Sequence, residues 1–157
     1  MTEKKKEAVW NTYSEAEKKE LEELCDHYRT FLTTCKTERE STLEAVKQAK
    51  AAGYADLAEI VKAGKKLSAG DKVYAVCMKK AVVLFHIGTE PLEAGLTILG
   101  AHIDTCRLDV KQNPLYEDSG LAYLDTHYYG GIKKYQWVTL PLALHGVVVK
   151  KDGTVMD

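Results

Sequence analysis

The 157 residues carry 22 basic and 23 acidic side chains, a net charge of -1 and a hydrophobic content of 45%. A chain of this size buries one sizeable core, so a single domain with room for a small second unit is the starting expectation. The near balance of charge leaves no field that would gather nucleic acid or an anionic membrane, and neither is expected as a partner.

The chain opens on Lys4-Lys5-Lys6 between Glu3 and Glu7, which reads as a solvated terminus. The residues that follow are polar, so no secretory signal is expected, and the longest apolar run, residues 81–85, is far too short to span a bilayer. A soluble, cytoplasmic protein is the expectation. Cys25, Cys35, Cys77 and Cys106 form no CxxC pair, which argues against a zinc knuckle or a dithiol motif and for reduced thiols.

Ser14 and Glu17 stand at capping-box spacing, and Leu21, Leu24, Tyr28 and Phe31 recur three and four residues apart behind them. That pattern predicts a helix whose apolar stripe is core. Thr37 and Glu40 repeat the box ahead of a second helix, with Leu43, Val46 and Ala49 as its buried side and Gly53 as its stop. From Tyr54 the pattern is broken by Gly64 and Gly70, and residues 72–88 then predict two strands around a turn at residues 78–80, although no Gly or Asn supports that turn. Residues 90–95 read as a loop. Residues 96–103, LTILGAHI, are almost unbroken in their apolar character, as expected of a strand covered on both faces by helices. Helices followed by such a strand predict an α/β fold with a three-layer core.

Beyond Asn113-Pro114 the composition moves toward aromatics and short strands, predicted over residues 121–131 and 133–149. Residues 150–153, KKDG, carry the Asp-Gly signal of a hairpin, after which four residues remain. A returning arm that short suggests a truncated polypeptide.

The chemistry concentrates at His102-Ile103-Asp104. On a strand, residues two apart point to the same side, so this histidine and aspartate can lie together at the carboxyl end of LTILGAHI. Ligand sites in open α/β sheets gather at that end. An imidazole binds zinc through one ring nitrogen while a neighbouring carboxylate holds the other ring N–H, fixing the tautomer. The spacing alone arises by chance often enough that a structural His-Asp hydrogen bond remains an alternative.

AHIDTCRLDVKQNPLYE, together with HYYGGIKKYQWVTLPLALHGVVVKKDG further on, resembles the two signature blocks of the aspartyl aminopeptidase and vacuolar aminopeptidase I family of dizinc metallopeptidases. The resemblance runs from about residue 14 onward. It differs from the commoner pattern in Thr105-Cys106, where Ser-Pro is usual, and in KKYQWVTLPL, where the family has a WxxWFDRDL-like run. It implies that residues 1–112 begin the catalytic domain, a three-layer α/β/α zinc-peptidase core, and that residues 113–157 begin an inserted β domain used for oligomerisation. His102 is implied as a zinc ligand, and Asp104 as the acid of the catalytic site that orients it. Two zinc ions are implied in the intact enzyme, with other divalent metals admissible. Peptides are the implied substrates, losing single residues from their N-termini, and the implied assembly is a homo-oligomer, a tetrahedral dodecamer. The family places the bridging carboxylate, the base and the remaining ligands downstream, so this stretch alone is expected to be inactive. Two alternatives stand beside this reading: a non-catalytic interaction module, and a dizinc deacylase or carboxypeptidase relative of the same clan, which HIDT also resembles.

The other candidates have plainer readings. Glu117-Asp118 lies in EDSG, which is ordinary turn chemistry. His86 ends an apolar strand as a packed or rim residue, and His127 and His145 are expected to be structural. Cys106 has no base or orienting partner that the sequence can show. Arg107 and Lys111 project from the loop after the motif, where solvation is expected and a place in a substrate-facing wall is the alternative. Residues 128–131 are expected to need glycine's conformational freedom, for a turn or a subunit contact.

Overall fold

The computed structural model describes residues 8–156. A single 3-10 turn, Val9–Thr12, precedes α1 (Glu15–Thr34). Ser14 Oγ accepts the Glu17 N–H at 3.3 Å while the Glu17 carboxylate accepts the Ser14 N–H at 2.7 Å, the reciprocal box read from the spacing. This helix belongs to a first compact unit that ends at Cys35. Its apolar stripe is not the core that the sequence suggested: Leu24 is 66% exposed and Tyr28 is also open. Among the described residues of that unit only the Val9–Thr12 turn accompanies α1, too small a surface to cover the stripe.

The second unit begins at Lys36. Thr37 and Glu40 cap α2 (Glu38–Ala51) in the same reciprocal way. At the other end Gly53 adopts φ 84°, so that its N–H reaches Lys50 O and the Tyr54 N–H reaches Ala49 O, a Schellman closure. Gly64 closes α3 (Leu57–Lys62) likewise, with its N–H on Val61 O and that of Lys65 on Ile60 O. The first stop was expected; Gly64 was read as a break in the pattern, and the short helix before it was not expected. The buried face of α2 matches the expected one in part: Ala49 is buried and Val46 half-buried as expected, but Leu43 is 57% exposed, and Ser41 and Thr42 are buried beside Ala49. Small side chains on this face let the helix settle close against the sheet, and close packing there outweighs the size of any one apolar residue.

That sheet runs β1 (Ala55–Asp56), β2 (Lys72–Cys77), β3 (Ala81–His86), with β1 parallel and β3 antiparallel to the central β2. Val73 and Tyr74 are adjacent on β2, so they face opposite sides, and both are buried. The core of the unit therefore sits on the central strand. The link at residues 78–80 forms where expected, with Met78 and Lys79 both left-handed, at φ 51° and 58°, and the Lys80 N–H on Cys77 O at 2.9 Å.

Residues 96–106 form no regular element, and Leu99 is 95% exposed, which corrects the buried strand expected there. A strand is a relation between segments, and no described segment supplies the neighbouring ladder. What stands is a mixed α/β arrangement. Next comes a long hairpin, β4 (Arg107–Asp118) and β5 (Leu121–Tyr129). Its pairing is irregular between Val110 and Leu115, where Lys111, Gln112, Asn113 and Pro114 bulge out; Pro114 has no N–H to give a ladder. The composition shift at Asn113-Pro114 thus falls inside β4. Residues 133–147 form one short turn of helix, α4 (Lys134–Trp137), in place of the expected strand. The KKDG hairpin is present, joining β6 (Val148–Val149) to β7 (Val155–Met156) with Gly153 at φ 84°. No helix among the described residues is long and apolar enough to cross a membrane.

Candidate metal centre

The register of the β4–β5 hairpin determines which side chains meet His102. Arg107 opens β4 and pairs with Tyr129, the last residue of β5. The segment carrying His102 and Asp104 therefore enters the hairpin beside the point where Tyr129 leaves it. Gly130 follows at φ 73°, and a Cβ there would stand 2.9 Å from Cys106 Sγ. Only glycine fits this approach without displacement, which accounts for the glycine expected in residues 128–131 by a contact inside the chain.

His102 Nδ1 lies 3.0 Å from Asp104 Oδ1 and 3.1 Å from the Asp104 backbone oxygen. Both partners are acceptors, so Nδ1 is assigned the proton and Nε2 keeps its lone pair. The His102 side chain is 86% exposed, and that of Asp104 31%. The second Asp104 oxygen accepts the Tyr129 hydroxyl at 2.5 Å. Tyr129 foremost, and His102 after it, hold the Asp104 carboxyl below the usual aspartate range, and the same bond raises the Tyr129 phenol. Arg107 lies over the Tyr129 ring at 4.1 Å. Its guanidinium is fixed by Asp109 at 2.7 Å, Glu38 at 3.2 Å and Thr105 O at 3.3 Å. The expectation of a solvated Arg107 is therefore corrected, because strand pairing and three acceptors hold it inward. Lys111 also has a partner, Asp125, at 2.9 Å across the bulge.

The chemistry of this donor set suits one metal ligand. An exposed, singly protonated imidazole offers Nε2 outward, and its rear nitrogen is held by a carboxylate. No group of three or more His, Cys, Asp or Glu side chains able to hold an ion occurs among the described residues. His102 thus fits the part of a single ligand.

The remaining candidates divide cleanly. Glu117 and Asp118 serve the Ser119-Gly120 turn: Glu117 Oε1 accepts the Gly120 N–H at 2.7 Å and Asp118 Oδ1 accepts the Ser119 hydroxyl at 3.1 Å. His86 ends β3 opposite Lys72, at the exposed rim. The His127 and Tyr128 rings stack at 5.3 Å, and His145 Nδ1 meets Glu40 Oε1 at 2.8 Å. Cys25, Cys77 and Cys106 are free thiols. Sequence reasoning missed Tyr129 and Glu38. The aromatic-Gly-Gly block signalled that Tyr129 mattered, but its link to Asp104 depends on a strand register that spacing does not reveal.

Comparison with known proteins places this geometry in context. Residues 31–156 match the family model described as aminopeptidase I zinc metalloprotease, M18. A probable M18 family aminopeptidase 1 of Clostridium acetobutylicum is 56% identical over 149 residues, covering 95% of this chain and 32% of that protein. The crystal structure of aminopeptidase I from Borrelia burgdorferi B31 superposes with a TM-score of 0.87 at 38% identity, over 95% of this chain and 36% of that one. That of aminopeptidase I from Clostridium acetobutylicum gives a TM-score of 0.81 at 53% identity, over 98% of this chain and 34% of that one. The chain spans about a third of the length of the curated relatives it matches. On the extent of that match, this chain belongs to the M18 family of zinc metallopeptidases.

Proposed function

We propose that this chain is part of a zinc-dependent aminopeptidase that releases single residues from peptide N-termini, with His102 as a metal ligand and Asp104 as the acid that orients it. The observation that carries the reading is the hydrogen bond from His102 Nδ1 to Asp104 Oδ1, 3.0 Å long, which leaves Nε2 free to bind a cation. Zinc, when bound, supplies Lewis-acid polarisation of the scissile carbonyl. The residues of this chain hold a proton on Nδ1, direct Nε2 outward, and keep the imidazole from rotating. Asp104 touches no reacting atom in this account; it acts through His102.

The finer features extend the same reading. Two ions serve the intact enzyme, residues 1–112 belong to the catalytic domain, and residues 113–157 open an inserted β domain. Support for an assembly role comes from the β4–β5 hairpin, a two-stranded sheet with both faces largely open, as expected of an element that packs against something else. A homo-oligomer, with a tetrahedral dodecamer as its form, and a cytoplasmic location complete the proposal.

Metal analysis of the full-length protein beside a His102→Ala variant tests it. Loss of bound zinc together with aminopeptidase activity is expected, the activity falling by at least about 100-fold, as when a group acting with others in a site is removed. Unchanged zinc content with unchanged turnover would remove the reading.

A further inference from the structure

Asp104 is anchored at both carboxylate oxygens. Oδ1 faces His102 Nδ1 at 3.0 Å, and Oδ2 accepts the Tyr129 hydroxyl at 2.5 Å. A carboxylate held by a single bond can swing about its last torsion, which is broad and shallow for aspartate. One pinned on both oxygens cannot swing without breaking a charge-assisted hydrogen bond. The phenol is itself immobilised: its ring lies 4.1 Å from the Arg107 guanidinium, which Asp109, Glu38 and Thr105 O hold from other sides. Cross-strand pairing of Arg107 with Tyr129 puts the two side chains in register, and Gly130 lets the end of β5 close on Cys106.

We propose that Tyr129 is a positioning residue for the metal-binding imidazole, acting through Asp104, and that the Arg107 stack holds Tyr129 in place. The hydroxyl donates to Asp104, so the carboxylate presents only an acceptor to His102 and the Nδ1–H tautomer follows. A neutral ring with its lone pair on Nε2 is the form a metal needs. The two signature blocks, whose Asp104 and Tyr129 lie 25 residues apart in the chain, would then be one device: the first carries the ligand, and the second carries the brace. This inference rests on the proposal that His102 binds zinc.

The test uses the full-length protein and zinc alone, with affinity read by competition against a chelator. Tyr129→Phe keeps the ring and its Arg107 stack and removes only the hydroxyl. It is expected to weaken zinc binding by roughly 3- to 10-fold, somewhat less than the loss typical of a direct partner of a ligand. The unfolding temperature of the zinc-free protein should stay close to that of the parent. In an Asp104→Ala background the same substitution should cause no further loss, because its route to the imidazole is already gone. Arg107→Gln, which keeps the phenol and removes the stack, gives a second arm should Tyr129→Phe fold poorly. A smaller weakening, also absent without Asp104, is expected there. Zinc affinity equal to the parent's in both variants, or a loss that persists in the Asp104→Ala background, overturns the proposal while leaving the role of His102 intact. If His102→Ala itself leaves zinc affinity unchanged, the underlying reading and this inference fall together.

Discussion

Thr42 carries the only side-chain oxygen or nitrogen among the described residues that is buried without a hydrogen-bond partner. It sits on the face of α2 that packs with β2 and β3, beside Ser41 and Ala49. Burying a hydroxyl with no partner costs part of its desolvation energy, whereas an apolar group of the same shape carries no such penalty. Thr42→Val should therefore stabilise the second unit by about 1 kcal/mol, read as a higher denaturant midpoint with an unchanged slope. A lower midpoint would mean that Thr42 Oγ1 has a partner, such as a water. Tyr129 makes the complementary point at the same scale. It is a polar side chain with its hydroxyl satisfied, and that one bond determines how a carboxylate two strand-ends away is held.

Among the elements, α2 is where local and distant interactions converge on one turn. Glu40 completes the capping box with Thr37 and also accepts from His145, 105 residues later in the chain. Partial burial pushes the Glu40 carboxyl up, but the hydrogen bonds from His145, Lys36 N–H and Thr37 N–H outweigh it, and the net direction is down. A carboxyl lowered in the folded state contributes stability above its unfolded pKa, and that contribution is lost as the pH falls through the lower, folded value. Thermal unfolding followed from neutrality into acid should show this loss beginning near the ordinary glutamate range, at about pH 4.3. Glu40→Gln should cost about 1 kcal/mol or less at neutral pH, on the scale of a partly exposed ion pair. It should also flatten the acid limb. An acid limb as steep in the variant as in the parent would show that other carboxylates govern it.

At the scale of the whole molecule, exposed apolar surface dominates. Leu96, Ile98 and Leu99 stand open in the segment leading to His102, and much of the β4–β5 hairpin is open as well. Patches of that kind mark surfaces that pack against something. Residues 1–157 offer one candidate ligand and no cluster of metal-binding side chains among the described residues. Prepared alone, they are expected to bind a hydrophobic dye strongly and, on the proposed function, to hydrolyse no aminoacyl substrate. Turnover by residues 1–157 would show that the site needs nothing beyond them. The α/β class, the capped helices, the 72–88 hairpin and the His-Asp pair were all legible in the residues, because each depends on neighbours within a few positions. The strand expected at LTILGAHI was not, and on α2 Ala49 was legible as buried but Ser41 and Thr42 were not, because each depends on what lies opposite.

Local chemistry in the sequence determined where helices start and stop: Ser14 with Glu17, Thr37 with Glu40, Gly53 and Gly64 act over three to five residues, within reach of any single turn. It also determined that His102 and Asp104 would be close enough to share a proton. The tertiary structure alone decided that Tyr129 and Arg107 complete the arrangement, since the pairing of β4 with β5 passes through a four-residue bulge that no local pattern announces. A register shifted by one residue would have turned Tyr129 to the other face of the hairpin and left Asp104 held at a single oxygen.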